Sequence, residues 1–410
     1  MVADGLAISL FPRADDGIDL PPGAVIGAAF TDHHLHLLAA AAALRSVDLS
    51  TARSLMEVGD TLAEAARRTP QGRWLRAWGI EETDLIEQRL PTVDELDRFT
   101  AGRPLVLHHR TGHLRLRNRA AEMTGPPDPI PQEELADAVA EIGAQLVAAG
   151  ITAVTDATHT NDIVTLELLD RFRLPIHVTA MVAAHSLPGL SFGSHIGSVE
   201  VGPAKIMPPD CGLAALRHLV DTAHQAGFPA AVHAVDVDEV QAALDGGIGI
   251  GDRIEHLGLC LPEQLAELAR RKVTVVTQPG FVTHRAAKYR RELSETELGW
   301  LYRLRSALDA GVVLLGSSDA PVVAARPLDQ VASAMTRTLG LTERIDVDSA
   351  LGLVGGAPRV GEAADLVVLA EDPREVARID PARIAAIEIL AVWRAGRLVF
   401  GDRRYWPSLG

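Results

Sequence analysis

The sequence predicts an α/β protein built on a (β/α)8 TIM-like barrel, with a small β-sandwich-like domain assembled from the two chain ends. Short runs rich in β-branched and aliphatic residues alternate with longer stretches of helical period, as in parallel strands joined by crossover helices. The last runs follow one another without a long helix between them, as in an antiparallel sheet. Strands are predicted at Ala28–Asp32, Leu105–His109, Ala153–Asp156, Ile176–Met181, Ala204–Met207, Ala230–His233, Arg253–His256, Val273–Gln278 and Val312–Ser317. Eight strands close a barrel, so Leu105–His109 is assigned outside it, in an insertion around 47–131. Helices are predicted at Glu133–Ala149, Leu213–Ala226, Pro262–Arg271 and Glu297–Ala310. Several stop at a glycine (Gly150, Gly227, Gly311), which tolerates a left-handed backbone. Near the end, Ala364–Ala370 and Ile387–Val399, with turns at Asp372-Pro373 and Ala395-Gly396, predict the small sheet, joined by a strand at Leu6–Phe11. The barrel is expected over 27–352 and the small β domain over 1–26 and 353–410.

Composition narrows the function classes. The 54 acidic against 39 basic side chains give a formal charge of −15, which disfavours a nucleic-acid partner. Only Cys211 and Cys260 occur, with no CxxC pair, so no disulfide framework is expected. The apolar N-terminal stretch is shorter than a signal core, and no uncharged run approaches the roughly 20 residues that span a bilayer. The expectation is a soluble, cytoplasmic protein with no membrane partner; a homodimer is left open.

The strongest chemical signal is Asp32-His33-His34-Leu35-His36, directly after the first barrel strand. Histidines at i and i+2 on an extended segment project to one side, so His34 and His36 can reach one metal ion. Lys205, His233, His256 and Asp319 each lie at the C-terminal end of a predicted parallel strand, where a barrel builds its active face. Singly, each has a bland reading: a core histidine, or a helix N-cap for Asp319. Repetition across several strands makes one shared site the better account. Only three of the basic residues are lysine, Lys205, Lys272 and Lys288, so a lysine in an apolar strand stands out.

These residues, in the order HxH, Lys, His, His, Asp, resemble the amidohydrolase superfamily of metal-dependent hydrolases. Finer motifs resemble its YtcJ-like branch. Phe30–His36 resembles GFxDxHxH, and Gly112-His113 with Asn118 and Ala120-Ala121 resembles GH-x4-N-x-A. Gly150–Asp156 resembles GvTsv-x-D, Arg253–His256 matches RIEH, and Gln278–Phe281 matches QPxF. Gly316–Pro321 matches GSDxP with one residue inserted, and Ala364–Leu369 with Asp372-Pro373 resembles ADLVVL-x-x-DP. The resemblance runs from about Pro22 to Gly401. Two departures bear on substrate: the Gly-rich segment usual after the lysine is shortened, and the HaiGD stretch reads His233–Asp238 with its acid displaced.

The donor set suits Zn2+, one or two ions. If His34, His36 and Asp319 hold one ion, its water falls from pKa ~15.7 to about 7 and becomes a hydroxide nucleophile, with Asp319 shuttling the proton. The resemblance implies a carbamylated Lys205 bridging two ions, with His233 and His256 on the second. The rivals are a mononuclear site of His34, His36, His233 and Asp319, and a plain lysine paired with an acid such as Glu255. His113, from its GH motif, is the candidate to polarise the scissile carbonyl. Trp78, Glu81, His109, His113, Gln278, Phe281 and His284 are candidate contacts to a small-molecule substrate. The expected activity is hydrolysis of a non-peptide C–N bond in a small amide, an N-acyl or N-formyl amine, or a cyclic amide. The alternatives are a mononuclear deaminase of a heterocycle, with Asp236 as its acid, and a catalytically silent binding or sensor protein.

Overall fold

All eight predicted barrel strands form. The computed structural model describes residues 2–3, 6–7, 20–208, 212–356, 359, 361, 363–404 and 406. The strands are β1 (Phe30–Leu35), β2 (Ile151–Asp156), β3 (His177–Ala183), β4 (Val199–Ile206), β5 (Ala230–Ala234), β6 (Arg253–His256), β7 (Thr274–Thr277) and β8 (Leu314–Gly316). They pair in parallel in sequence order from β1 to β8. The sheet nearly closes where the chain just beyond β8 meets β1. There the Asp319 amide donates to the His34 carbonyl at 2.8 Å, and the Ser318 amide donates to the Asp32 carboxylate at 3.1 and 3.2 Å.

Local chemistry accounts for the ends of these elements. Helix Pro262–Arg271 begins with proline, whose fixed φ suits the first turn. Gly150, between helix Gln132–Ala148 and β2, sits at φ +83°, and a Cβ there would lie 2.8 Å from the Phe30 ring, so only glycine fits.

Helix Glu297–Ala310 is a correction. It is two helices, Glu295–Leu298 and Leu304–Asp309. The break seats Tyr302, 2% exposed and at φ +43°, in the core, where its ring meets Phe281 edge-on at 6.0 Å. Burying an aromatic ring outweighs the few hydrogen bonds of a continuous helix.

The chain ends supply a four-stranded antiparallel sheet in the order Arg397–Phe400, Ile389–Arg394, Leu366–Leu369, Val25–Ala28. Its N-terminal member is therefore Val25–Ala28, and the expected Ala28–Asp32 strand divides at Ala29 between the two sheets. Leu6–Ala7 pairs with Val2–Ala3, while the rest of Leu6–Phe11 lies outside the described residues, as does Cys211. Trp393 centres this sheet's core with Val368, Ala391, Leu398 and Trp406. Trp393→Ala should destabilise the protein by about 3–5 kcal/mol, read as a lower urea midpoint.

These elements form one compact unit; residues Leu37–Ile142 and Ala320–Val322 form a second. The second unit holds a sheet ordered Val47–Asp48, Leu75–Ile80, Leu105–His109, Arg115–Arg117, the first three parallel and the last antiparallel. Leu105–His109 thus lies outside the barrel. Buried Asn118 spends its whole amide there: it accepts from the Leu105 and Ala121 amides and donates to Thr100 and Arg103. Among the described residues no helix is long and apolar enough to cross a membrane.

Candidate metal centre

His34 and His36 lie two residues apart at the end of β1, and Asp319 follows β8. Their ligand atoms lie within 4.8 Å of one another. The Asp319 carboxylate Oδ1 is 3.6 Å from His34 Nε2 and 3.2 Å from His36 Nε2. An arc of imidazoles continues from this group, with ring centroids 5.4 Å apart for His36 and His34, 4.8 Å for His34 and His256, and 4.6 Å for His256 and His233. The structure therefore brings residues of β1, β5, β6 and the β8 end together.

Lys205, in β4, is 3% exposed, and its Nζ has no hydrogen-bond partner. Burial pushes its pKa down to about 8. Glu255 is not its ion-pair partner; that carboxylate is bonded to His34 and Arg253.

Each of three rings is held at Nδ1, which leaves Nε2 for a ligand. His34 Nδ1 meets Glu255 Oε2 at 2.5 Å, His36 Nδ1 meets Thr158 Oγ1 at 3.1 Å, and His256 Nδ1 meets Gln278 Oε1 at 3.0 Å. Partners of this kind orient metal-binding histidines. Thr158 is itself set by Asp156, whose carboxylate accepts from the Thr158 amide at 3.0 Å. Sequence reading missed Thr158 and this role of Glu255, because a supporting contact across a barrel leaves no mark in spacing. The only available signal was the Glu beside the His in RIEH.

Electrostatics keep the donors in their binding forms. Burial lowers His34 to about 3 and also lowers His256, so both rings are neutral at pH 7, as ligation needs. Burial alone would raise Asp319, but the His36 hydrogen bond and the neighbouring imidazoles hold its carboxyl below the usual range. Asp32, which accepts from the Ser318 and His34 amides, is raised by burial to about 6. His256 and Asp319 also sit at φ +79° and +57°, a region costly for side-chain-bearing residues and concentrated at functional sites. Asp319 caps no helix, since the next one begins at Pro327.

These residues fit a divalent cation. A carboxylate and several imidazoles converge, and a buried amine beside them lacks any hydrogen-bond partner.

The candidate substrate contacts fall in different surroundings. Gln278 is fully buried with both amide ends occupied, by His256 and by Ser317 Oγ at 2.9 Å, so it is a positioning group for His256. Phe281 is buried against Tyr302 and under the Arg285 guanidinium. His284 is exposed, and Asp329, at 2.6 Å, raises its pKa. The other four lie in the second unit. Trp78 is half-buried, His113 is exposed in the turn after Leu105–His109, and buried Glu81 faces Arg110 at 3.4 Å. Buried His109 has both ring nitrogens engaged, by Thr111 and Glu82.

The family model described as Amidohydrolase family matches residues 17–400. YtcJ of Bacillus subtilis (strain 168), named as an amidohydrolase, is 23% identical, the match covering 92% of this chain and 89% of that protein. An N-substituted formamide deformylase of Arthrobacter pascens is 36% identical over 101 residues, 24% of this chain and 19% of that protein. A metal-dependent hydrolase from Pyrococcus horikoshii OT3 shares the fold, with a TM-score of 0.68 at 21% identity over 86% of this chain and 87% of that one. An adenosine deaminase from Xanthomonas campestris with bound zinc does so at a TM-score of 0.58 and 14% identity, over 98% and 88%. The chain belongs to the amidohydrolase family.

Proposed function

We propose that this protein is a metal-dependent hydrolase that cleaves a non-peptide C–N bond in a small amide, an N-acyl or N-formyl amine, or a cyclic amide. The observation that carries the reading is the convergence of His34, His36 and Asp319 within 4.8 Å. His34, His36 and Asp319 would hold one divalent cation, with Zn2+ the expected ion. Lys205 as a carbamate, His233 and His256 would hold a second. A bound cation supplies Lewis-acid polarisation and acidifies water. Asp319, ionised at neutral pH, accepts the proton of the attacking water and returns it to the leaving nitrogen as the new C–O bond forms and C–N breaks.

Two observations support this over deamination. The relative that shares 36% identity over part of the chain is named a formamide deformylase. Asp236, the acid a deaminase would need here, is exposed and caps helix Val237–Asp245, accepting the Glu239 amide at 2.8 Å. Elemental analysis of protein never exposed to chelator should find about one or two equivalents of a divalent metal, and less than about 0.2 would overturn the metal reading. A panel of N-formyl and N-acyl amines should yield carboxylate plus amine. Ammonia release from aminated heterocycles alone would favour the deaminase.

A further inference from the structure

We propose that the metal-free protein already holds His34 and His256 as their Nδ1–H tautomers, set by two hydrogen-bond relays that each end on an acceptor-only group. The proposal rests on the metal-centre reading above and names Glu255, Arg253, Gln278 and Ser317 as its positioning residues.

The first relay crosses the barrel from β6 to β1. The Arg253 guanidinium donates through Nε to Glu255 Oε1 at 2.5 Å and through Nη2 to Oε2 at 3.1 Å. The same Nη2 donates to the His33 carbonyl at 2.7 Å. Both Glu255 oxygens accept from the Arg253 guanidinium, a group with donors only, so the carboxylate pairs with it as an acceptor. An ionised carboxylate can only accept, so the proton on the short His34–Glu255 contact belongs to His34 Nδ1. Arg253 thereby fixes both the backbone of the HxH segment and the ring inside it.

The second relay is neutral, and its polarity follows from counting protons. Ser317 Oγ lies 3.1 Å from the Thr277 carbonyl and 2.9 Å from Gln278 Nε2. The carbonyl only accepts, so the single hydroxyl proton goes to it and Ser317 Oγ accepts from Gln278 Nε2. That orients the Gln278 amide with Oε1 towards His256, whose Nδ1 must then donate. Thr158 imposes no such polarity on His36, because a hydroxyl serves either way. Two of the three rings thus present an Nε2 lone pair before any ion arrives. Nδ1–H is the minority form of free neutral histidine, so the relays select it.

The test is 15N NMR of metal-free protein labelled at histidine, with His34 and His256 assigned through His34→Asn and His256→Asn, and Zn2+ competition against a chromophoric chelator. Both rings should show the Nδ1–H pattern in the wild type. Glu255→Gln should lose that pattern at His34 and weaken Zn2+ binding about 10–100-fold. Ser317→Ala removes only one small group; it should mix the His256 tautomers and weaken binding by a smaller factor, even if Glu255→Gln fails to fold. An Nε2–H pattern at either ring in the wild type overturns the proposal. So does Zn2+ affinity within about threefold of wild type in folded variants. A wild type that binds no Zn2+ but shows both tautomers refutes the metal reading instead.

Discussion

Asp319→Asn is expected to lower kcat about 10²–10⁴-fold while leaving the melting temperature near that of the parent. The backbone argument comes first. Asp319 sits at φ +57°, and asparagine tolerates that left-handed region at least as well as aspartate, so the substitution adds no strain. The amide that bonds the His34 carbonyl belongs to the main chain and is untouched. An Asn Oδ1 can still accept from His36. What disappears is the charge and the capacity to take a proton. The loss therefore falls on kcat, with kcat/KM following it, as for an interaction made in the transition state. A rate within about threefold of the parent would remove Asp319 from the mechanism.

That residue also shows how far the chain can be read without coordinates. Barrel strands were legible because parallel strands buried on both faces read as aliphatic runs, and the ligands were legible because chemistry sits at strand ends. The boundary at Ala29 was not. Ala29, between Val25–Ala28 and Phe30–Leu35, is no turn signal, and only tertiary pairing, with Leu366–Leu369 on one side and β2 on the other, divides the two strands. Helix 297–310 was misread for a related reason: helical period continues through Trp300–Tyr302, while the fold breaks the helix to bury Tyr302. Gln278 looked like a substrate contact because it leaves β7 at the active end. It instead spends its amide on His256 and Ser317, contacts 22 and 39 residues away in sequence.

Lys205→Ala should abolish turnover, and metal content should fall towards one equivalent if a carbamate bridges two ions. Lys205 is one of three lysines in 410 residues, and it is buried in β4 with an Nζ that no protein group satisfies. An unpartnered buried cation is destabilising. Burial brings its pKa to about 8, so the amine is neutral often enough to add CO2, forming a new N–C bond and releasing a proton. The carbamate so formed is an anion with two oxygens, which converts an orphaned donor into a ligand. Lys205→Met separates this function from packing, because it keeps the volume of the chain and removes only the amine. It should match or exceed the stability of the parent, since it deletes a buried polar atom without opening a cavity, yet lose at least about 100-fold in rate. Short carboxylates added to Lys205→Ala, where truncation leaves room for them, should restore part of the activity and part of the second metal. Full activity with unchanged metal in Lys205→Met would refute the bridge and leave the mononuclear site of His34, His36, His233 and Asp319.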